Sequence, residues 1–130
     1  MNTVRYFSRS GNTKLVADAI AEALGVQAVS VDDSQAAITE ITDTLFVGGA
    51  LYAYGIDKKL QSYLRSLDAS KVKRAAVFST SWLSKHALDL IKKELNAKGI
   101  AVIEETFYVK NKANAAQLKE AAAFAKKYSI

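Results

Sequence analysis

Apolar runs and amphipathic stretches alternate along the chain with few interruptions. Thr3-Val4-Arg5-Tyr6-Phe7 reads as a strand, and from Thr13 to Leu24 the residues Leu15, Val16, Ala19, Ile20, Ala23 and Leu24 recur at helical spacing. Gly25 stands where a left-handed C-terminal cap belongs. Val26 to Val31 predicts a second strand, and Asp32 to Ile41 a loop with a short helical turn. Thr44-Leu45-Phe46-Val47-Gly48-Gly49 is a compact apolar run ending in glycines, the pattern of a strand buried on both faces. Asp57 to Leu67 puts Leu60, Tyr63, Leu64 and Leu67 on one side of a helix, and Ala75 to Ser79 predicts the next buried strand. Ser84 to Lys98 is amphipathic through Ala87, Leu88, Ile91 and Leu95 and closes at Gly99. Ile100 to Val109 predicts a long final strand, and Asn114 to Tyr128 a closing helix.

Five strands separated by helices of this length require parallel crossovers, because a short hairpin cannot join a parallel pair. The expected fold class is therefore α/β: a doubly wound, five-stranded parallel sheet with helices on both faces. A chain of 130 residues, half of them apolar, fits one such domain over residues 1–130. An open parallel sheet takes its ligand outside the carboxyl ends of the strands, where strand order reverses. For order 2-1-3-4-5 that point lies between the first and third strands. The loops expected to meet there are 8–13, 48–56 and 79–84, and they carry the unusual residues.

Ser8, Ser10 and Thr13 place three hydroxyls within six residues, after a strand and before a helix, with Gly11 and Asn12 supplying backbone freedom. A helix N-terminus offers unpaired N–H groups and a partial positive charge, so this segment reads as an anion cradle. A helix cap alone would need only one such residue. The loop lacks both the Gly-x-x-x-x-Gly-Lys-Ser/Thr and the Gly-x-Gly-x-x-Gly patterns. Arg9 and Lys14 add attraction for an anion while facing solvent.

Composition narrows the chemistry. The absence of cysteine removes disulfides, thiol nucleophiles and iron–sulfur ligation, and a single histidine, His86, speaks against a zinc or haem site. Redox chemistry would have to come from an organic cofactor. Ser84, His86 and Asp89 lie on one predicted helix at spacings that do not converge as a triad, so His86 is expected on the surface. No stretch approaches the ~18 apolar residues of a membrane span, and the expectation is a soluble, cytoplasmic protein. Charge is uneven: residues 1–53 carry three Lys/Arg against six Asp/Glu, and residues 54–130 carry fifteen against seven, or −3 and +8.

The segment Ser8-Arg9-Ser10-Gly11-Asn12-Thr13, after Val4-Arg5-Tyr6-Phe7 and before Lys14-Leu15-Val16-Ala17, resembles the flavodoxin signature Ser/Thr-x-Ser/Thr-Gly-x-Thr. The resemblance extends over nearly the whole chain. It implies flavin mononucleotide (FMN) as cofactor, with the phosphate held by Ser8, Arg9, Ser10, Gly11, Asn12 and Thr13. It implies ring contacts from Ala50, Leu51, Tyr52, Ala53, Tyr54 and Gly55 and from Ser79, Thr80, Ser81 and Trp82. Flat side chains there can stack on an isoalloxazine. Gly55 either permits a peptide flip toward the flavin or simply ends its loop before the next helix.

The implied activity is electron transfer between protein redox partners, with no catalytic side chain and no metal, in a monomer or weak dimer that binds neither nucleic acid nor membrane. A flavin-dependent NAD(P)H oxidoreductase acting on a quinone, or a non-redox phosphate-binding domain, remains an alternative. Flavodoxins are usually strongly acidic, whereas this chain has a net charge of +5. The expected partner therefore either presents an acidic docking face or makes a mainly apolar contact.

Overall fold

A computed structural model describes all of Met1–Ile130. Parallel strands β1 (Asn2–Tyr6), β2 (Ala28–Ser30), β3 (Thr42–Gly49) and β4 (Val72–Thr80) alternate with helices α1 (Asn12–Leu24), α2 (Lys58–Ser66) and α3 (His86–Ala97). Two short strands, β5 (Ala101–Val102) and β6 (Phe107–Val109), precede α4 (Ala115–Tyr128). The sheet order is β2-β1-β3-β4-β5, every pairing is parallel, and β6 also lies beside β4. The expected 2-1-3-4-5 topology is the one observed. No helix is long and apolar enough to cross a membrane.

Alternation along the buried strands divides the core. Leu45, Val47, Ala75 and Val77 face Leu60 and Leu64 of α2 and Ile91 and Leu95 of α3. Val4, Phe46, Ala76 and Phe78 face Val16 and Ile20 of α1 and Phe124 of α4. Phe124 meets Phe46 edge-on at 6.1 Å and Phe107 at 5.9 Å. Each fully buried side chain of this size contributes roughly 1.5–3 kcal/mol. The predicted stripes therefore bind helices to both faces of one sheet.

Local signals set the boundaries. Gly25 adopts φ 68° and its N–H and that of Val26 close α1 on Glu22 and Ala21 carbonyls. Asn114 caps α4 in a reciprocal box with Gln117. Segment 32–41 forms hydrogen-bonded turns, such as Ala36 N–H to the Asp33 carbonyl, rather than a helical turn. Its buried anchor is Ala36, whose carbonyl accepts from Arg5 Nε at 2.7 Å and from the Tyr63 hydroxyl at 2.6 Å.

The long final strand expected over 100–109 is broken. Ala101 pairs with Arg74, a separation of 27, whereas Phe107 pairs with Phe78, a separation of 29. Two extra residues are thus accommodated between Ile103 and Thr106, and the exposed Glu104 and Glu105 bulge out of the ladder. An apolar–polar pattern does not reveal a two-residue register change, because a shift by two leaves each side chain on its own face.

Candidate functional site

The loops after β1, β3 and β4 meet at the carboxyl edge of the sheet, and the segment after β6 joins them. In the first loop Gly11 takes φ 94° as N-cap of α1, a conformation that suits glycine, and no side chain caps the helix. The Gly11 N–H donates to Ser8 Oγ at 3.0 Å and the Asn12 N–H to Ser10 Oγ at 3.4 Å. Both hydroxyls accept, so their O–H groups remain free to donate. The backbone N–H groups of Ser10, Thr13 and Lys14 have no partner within the chain. This is the donor-rich arrangement an anion requires.

Thr13 does more than extend that row. It is buried, and its hydroxyl lies 2.6 Å from that of Thr80, which is also buried at the end of β4. One of the two must donate to the other, leaving one O–H for a further acceptor. Thr80, which the resemblance assigns to ring contact, is therefore tied to the first loop. Ser79 turns inward and donates from Oγ to the Gly49 carbonyl at 2.7 Å, joining the ends of β3 and β4. Ser81 is buried as well; its Oγ accepts from Leu83 N–H and its carbonyl from the Tyr108 hydroxyl at 2.6 Å.

In the second loop Tyr52 and Gly55 exchange both backbone hydrogen bonds, at 2.7 and 3.0 Å, around Ala53 and Tyr54. Gly55, at φ 118°, closes this tight turn. The rings of Tyr52 and Tyr54 are stacked 6.0 Å apart. Ala50 and Leu51 are half-buried at the root of the loop, and Leu51 packs on the core. Tyr54 is 61% exposed, and Trp82 in the third loop is 68% exposed.

Arg9 couples the first loop to the second. Its guanidinium lies 3.9 Å from the centre of the Tyr52 ring, donates twice to Asp57 Oδ2, at 3.0 and 2.5 Å, and also bonds the Tyr54 hydroxyl. These contacts raise the Arg9 pKa, chiefly through Asp57 and then Tyr54. Burial works against ionisation of Asp57, but the Lys59 N–H and Arg9 outweigh it and hold the carboxylate below its ordinary pKa. Burial raises the Tyr52 phenol. Lys14, by contrast, points outward to Asp18.

Sequence reasoning missed the fourth loop. Asn111 is the one non-glycine residue with positive φ, at 65°, and its Oδ1 accepts from Asn12 Nδ2 at 3.1 Å. Lys110 Nζ stands 4.8 Å from the centre of the Trp82 ring, and Lys85 Nζ 5.4 Å from that of Tyr108. The run Lys110-Asn111-Lys112-Ala113-Asn114 carries a usable signal, since asparagine tolerates the left-handed conformation and marks turns. His86 is exposed, with Nδ1 3.7 Å from Asp89 Oδ2, and Ser84 Oγ accepts only the His86 backbone N–H.

A concavity of about 870 Å³ lies beside this edge between α2 and α3, and touches the loops at Arg9, at Tyr54, Gly55 and Ile56, and at the helix cap Asp57. The donor-rich first loop and the exposed aromatics are thus on the edge itself, at the reversal of strand order. A Flavodoxin domain family model matches residues 3–125. The chain belongs to the flavodoxin domain family. No curated protein sequence matches it significantly. Among solved structures this flavodoxin domain is similar to a flavodoxin from the domain Archaea, with 22% identity, TM-score 0.86 and coverage of 98% of this chain and 95% of that one. It is similar to oxidised flavodoxin 1 from Bacillus cereus, with 23% identity, TM-score 0.78 and 98% and 97% coverage. It also matches the Flv1 flavodiiron core from Synechocystis sp. PCC6803, with 20% identity and TM-score 0.82, over 98% of this chain but 34% of that one. At these identities the likeness establishes the fold of the flavodoxin domain.

Proposed function

We propose that this flavodoxin domain binds FMN and carries electrons between protein partners. The observation that carries this reading is the first turn of α1, where Ser10, Thr13 and Lys14 offer unpaired N–H groups beside the Ser8 and Ser10 hydroxyls at the reversal of strand order. A phosphate suits these donors without a dedicated cation, because each hydrogen bond to it is charge-assisted. Ser8, Arg9, Ser10, Gly11, Asn12 and Thr13 would hold the phosphate, with Thr80 behind Thr13. The ring would be received by Ala50, Leu51, Tyr52, Ala53, Tyr54 and Gly55 and by Ser81 and Trp82, where the aromatic side chains supply flat apolar faces; Ser79, expected from the resemblance to join them, is fully buried and bonded to the Gly49 carbonyl instead.

Bound FMN supplies the redox chemistry, and the protein supplies binding, orientation and electrostatics. Within that division Arg9 holds Tyr52 and Tyr54 in place through its contacts with both rings and with Asp57. The Gly55 backbone is committed to Tyr52 on both sides, which fixes the turn at the rim. Electron passage to a protein is supported by the exposure of Trp82 and Tyr54 at this edge.

Titration of the purified protein with FMN and with riboflavin, followed by loss of flavin fluorescence, tests the reading. Ser10→Ala removes one charge-assisted bond of about 1.5–3 kcal/mol, so FMN affinity should fall roughly 10- to 100-fold. Riboflavin, which lacks the phosphate, should bind almost unchanged. A protein that leaves FMN fluorescence and its own melting temperature unaltered would refute flavin binding, and equal losses for both ligands would refute the phosphate assignment. Steady NADH or NADPH oxidation in the presence of a quinone, with no protein partner, would favour the oxidoreductase alternative.

A further inference from the structure

Six large apolar side chains stand exposed on the molecule: Met1, Ile41, Tyr54, Trp82, Leu83 and Ile130. Tyr54, Trp82 and Leu83 share the carboxyl edge of the sheet, whereas Met1, Ile41 and Ile130 lie at the opposite edge, near the starts of β1 and β3. Beside Tyr54 the charges of Arg9 and Asp57 are paired, and Asp89 stands next to His86, but the loops around Trp82 and Leu83 carry one sign of charge. The segments Ser81–Lys85 and Lys110–Asn114 contain Lys85, Lys110 and Lys112 and no carboxylate. All three lysines are exposed, and none forms an ion pair. Exposed lysines without an ion pair occur elsewhere too, Lys58, Lys93, Lys119 and Lys126 among them; what marks this edge is that its free lysines stand beside exposed Trp82 and Leu83.

Protein interfaces combine an aromatic centre with a polar rim, and complementary charge at the rim steers the encounter and selects the partner. We infer that the surface formed by Tyr54, Trp82 and Leu83 and ringed by Lys85, Lys110 and Lys112 docks an acidic electron-carrier protein. This rests on the electron-transfer reading above and adds to it the partner's charge and the residues that meet it. The partner's apolar patch covers the exposed trio while its carboxylates face the lysines. Lys110, held against the Trp82 ring, links rim to centre. A protein fits better than a nucleic acid, because the exposed side chains include the aliphatic Leu83 beside the aromatics and the cations number three rather than following an extended track.

Trp82 is the only tryptophan, so its indole N–H is a unique reporter in a 15N-labelled sample. The probes are an acidic [2Fe–2S] ferredoxin, basic cytochrome c and a single-stranded oligonucleotide, each added to FMN-loaded and FMN-free protein. The indole signal should shift and broaden with ferredoxin, and affinity should fall at least about tenfold between roughly 20 and 300 mM salt. The triple variant Lys85→Gln, Lys110→Gln, Lys112→Gln should weaken ferredoxin binding by about tenfold or more. Lys71→Gln, Lys98→Gln, Lys126→Gln alters net charge equally at the opposite edge and should change it less than about threefold. Equal losses in the two triples, or preference for cytochrome c or the oligonucleotide, would overturn the docking surface. The yellow chromophore reports FMN loading separately: a protein that remains colourless after incubation with excess FMN and removal of the free flavin defeats the functional reading, whereas a loaded protein indifferent to the first triple defeats only the docking surface.

Discussion

Replacing Thr13 by valine keeps the shape of the side chain and deletes one hydroxyl from a buried pair. Thr13 is 1% and Thr80 2% exposed, with their hydroxyl oxygens 2.6 Å apart across 67 positions of sequence. Threonine and valine have similar helix propensities, so the first turn of α1 is otherwise little affected. The single change strands the Thr80 hydroxyl in the interior, which costs about 1–3 kcal/mol; removing both hydroxyls together can be nearly neutral. Thr13→Val and Thr80→Val should therefore each lower stability by about 1–2 kcal/mol, or roughly 3–8 °C in Tm for a domain of this size. The double variant should recover at least about half of the summed loss, a coupling energy of about 1–2 kcal/mol. Urea and thermal unfolding of the four FMN-free proteins, followed by circular dichroism, measure the cycle. Additive losses would show that the hydroxyls do not satisfy one another. The double variant then isolates binding: near-parental stability with FMN weakened about tenfold, and riboflavin unaffected, would assign the spare O–H of the pair to the phosphate.

A methyl group at Gly48 would stand 2.5 Å from the Phe78 carbonyl oxygen and against the Phe78 ring, both fixed in the core. Gly48→Ala should therefore cost roughly 1–3 kcal/mol or more by overpacking, and an unchanged urea midpoint would refute the tight β3–β4 contact. Glu94 is held below its ordinary carboxylate pKa of 4.5, chiefly by Arg65, against opposition from burial and with help from Gln61. A depressed folded-state pKa contributes stability present above about pH 4.5 and lost as pH falls through the lower folded value. Arg65→Gln should thus flatten the acid limb of stability between about pH 5 and pH 3, and parallel limbs in the two proteins would refute the pairing.

How much of this was legible in the sequence depended on the kind of signal. The stripes of α1, α2 and α3 and the apolar runs of β3 and β4 fixed their types, because one buried face imposes a period. The loop 8–13 was legible because hydroxyls, glycine and asparagine sit together between a strand and a helix. Less was visible where the cause is a contact between distant segments. Nothing local to Arg9 announces that its guanidinium lies on Tyr52 and pairs with Asp57, 48 positions away. The inward turn of Ser79 toward the Gly49 carbonyl depends on the β3–β4 register, and the fifth strand broke where a shift of two residues leaves no trace in the pattern.

That register change also bears on the uneven charge of the chain. Once the two extra residues are absorbed, β6 ends with Val109 opposite Thr80, so Lys110, Asn111 and Lys112 emerge directly beside the third loop. Asn111 then reaches Asn12, and Lys110 reaches Trp82. The first loop belongs to the half of the chain with charge −3, and its donors are backbone N–H groups and hydroxyls, with the Arg9 side chain already committed to Asp57. The lysines that complete the edge come from the half with charge +8. One edge thus presents neutral donors and, beside exposed aromatic rings, free cations, two groups that in the proposed reading act on different partners. Neutral donors hold a small anion at short range, whereas mobile cations in solvent act over a Debye length of about 8–10 Å and steer a larger one. Salt should accordingly weaken protein docking far more than it weakens FMN, a separation that a charge-driven phosphate site would not produce.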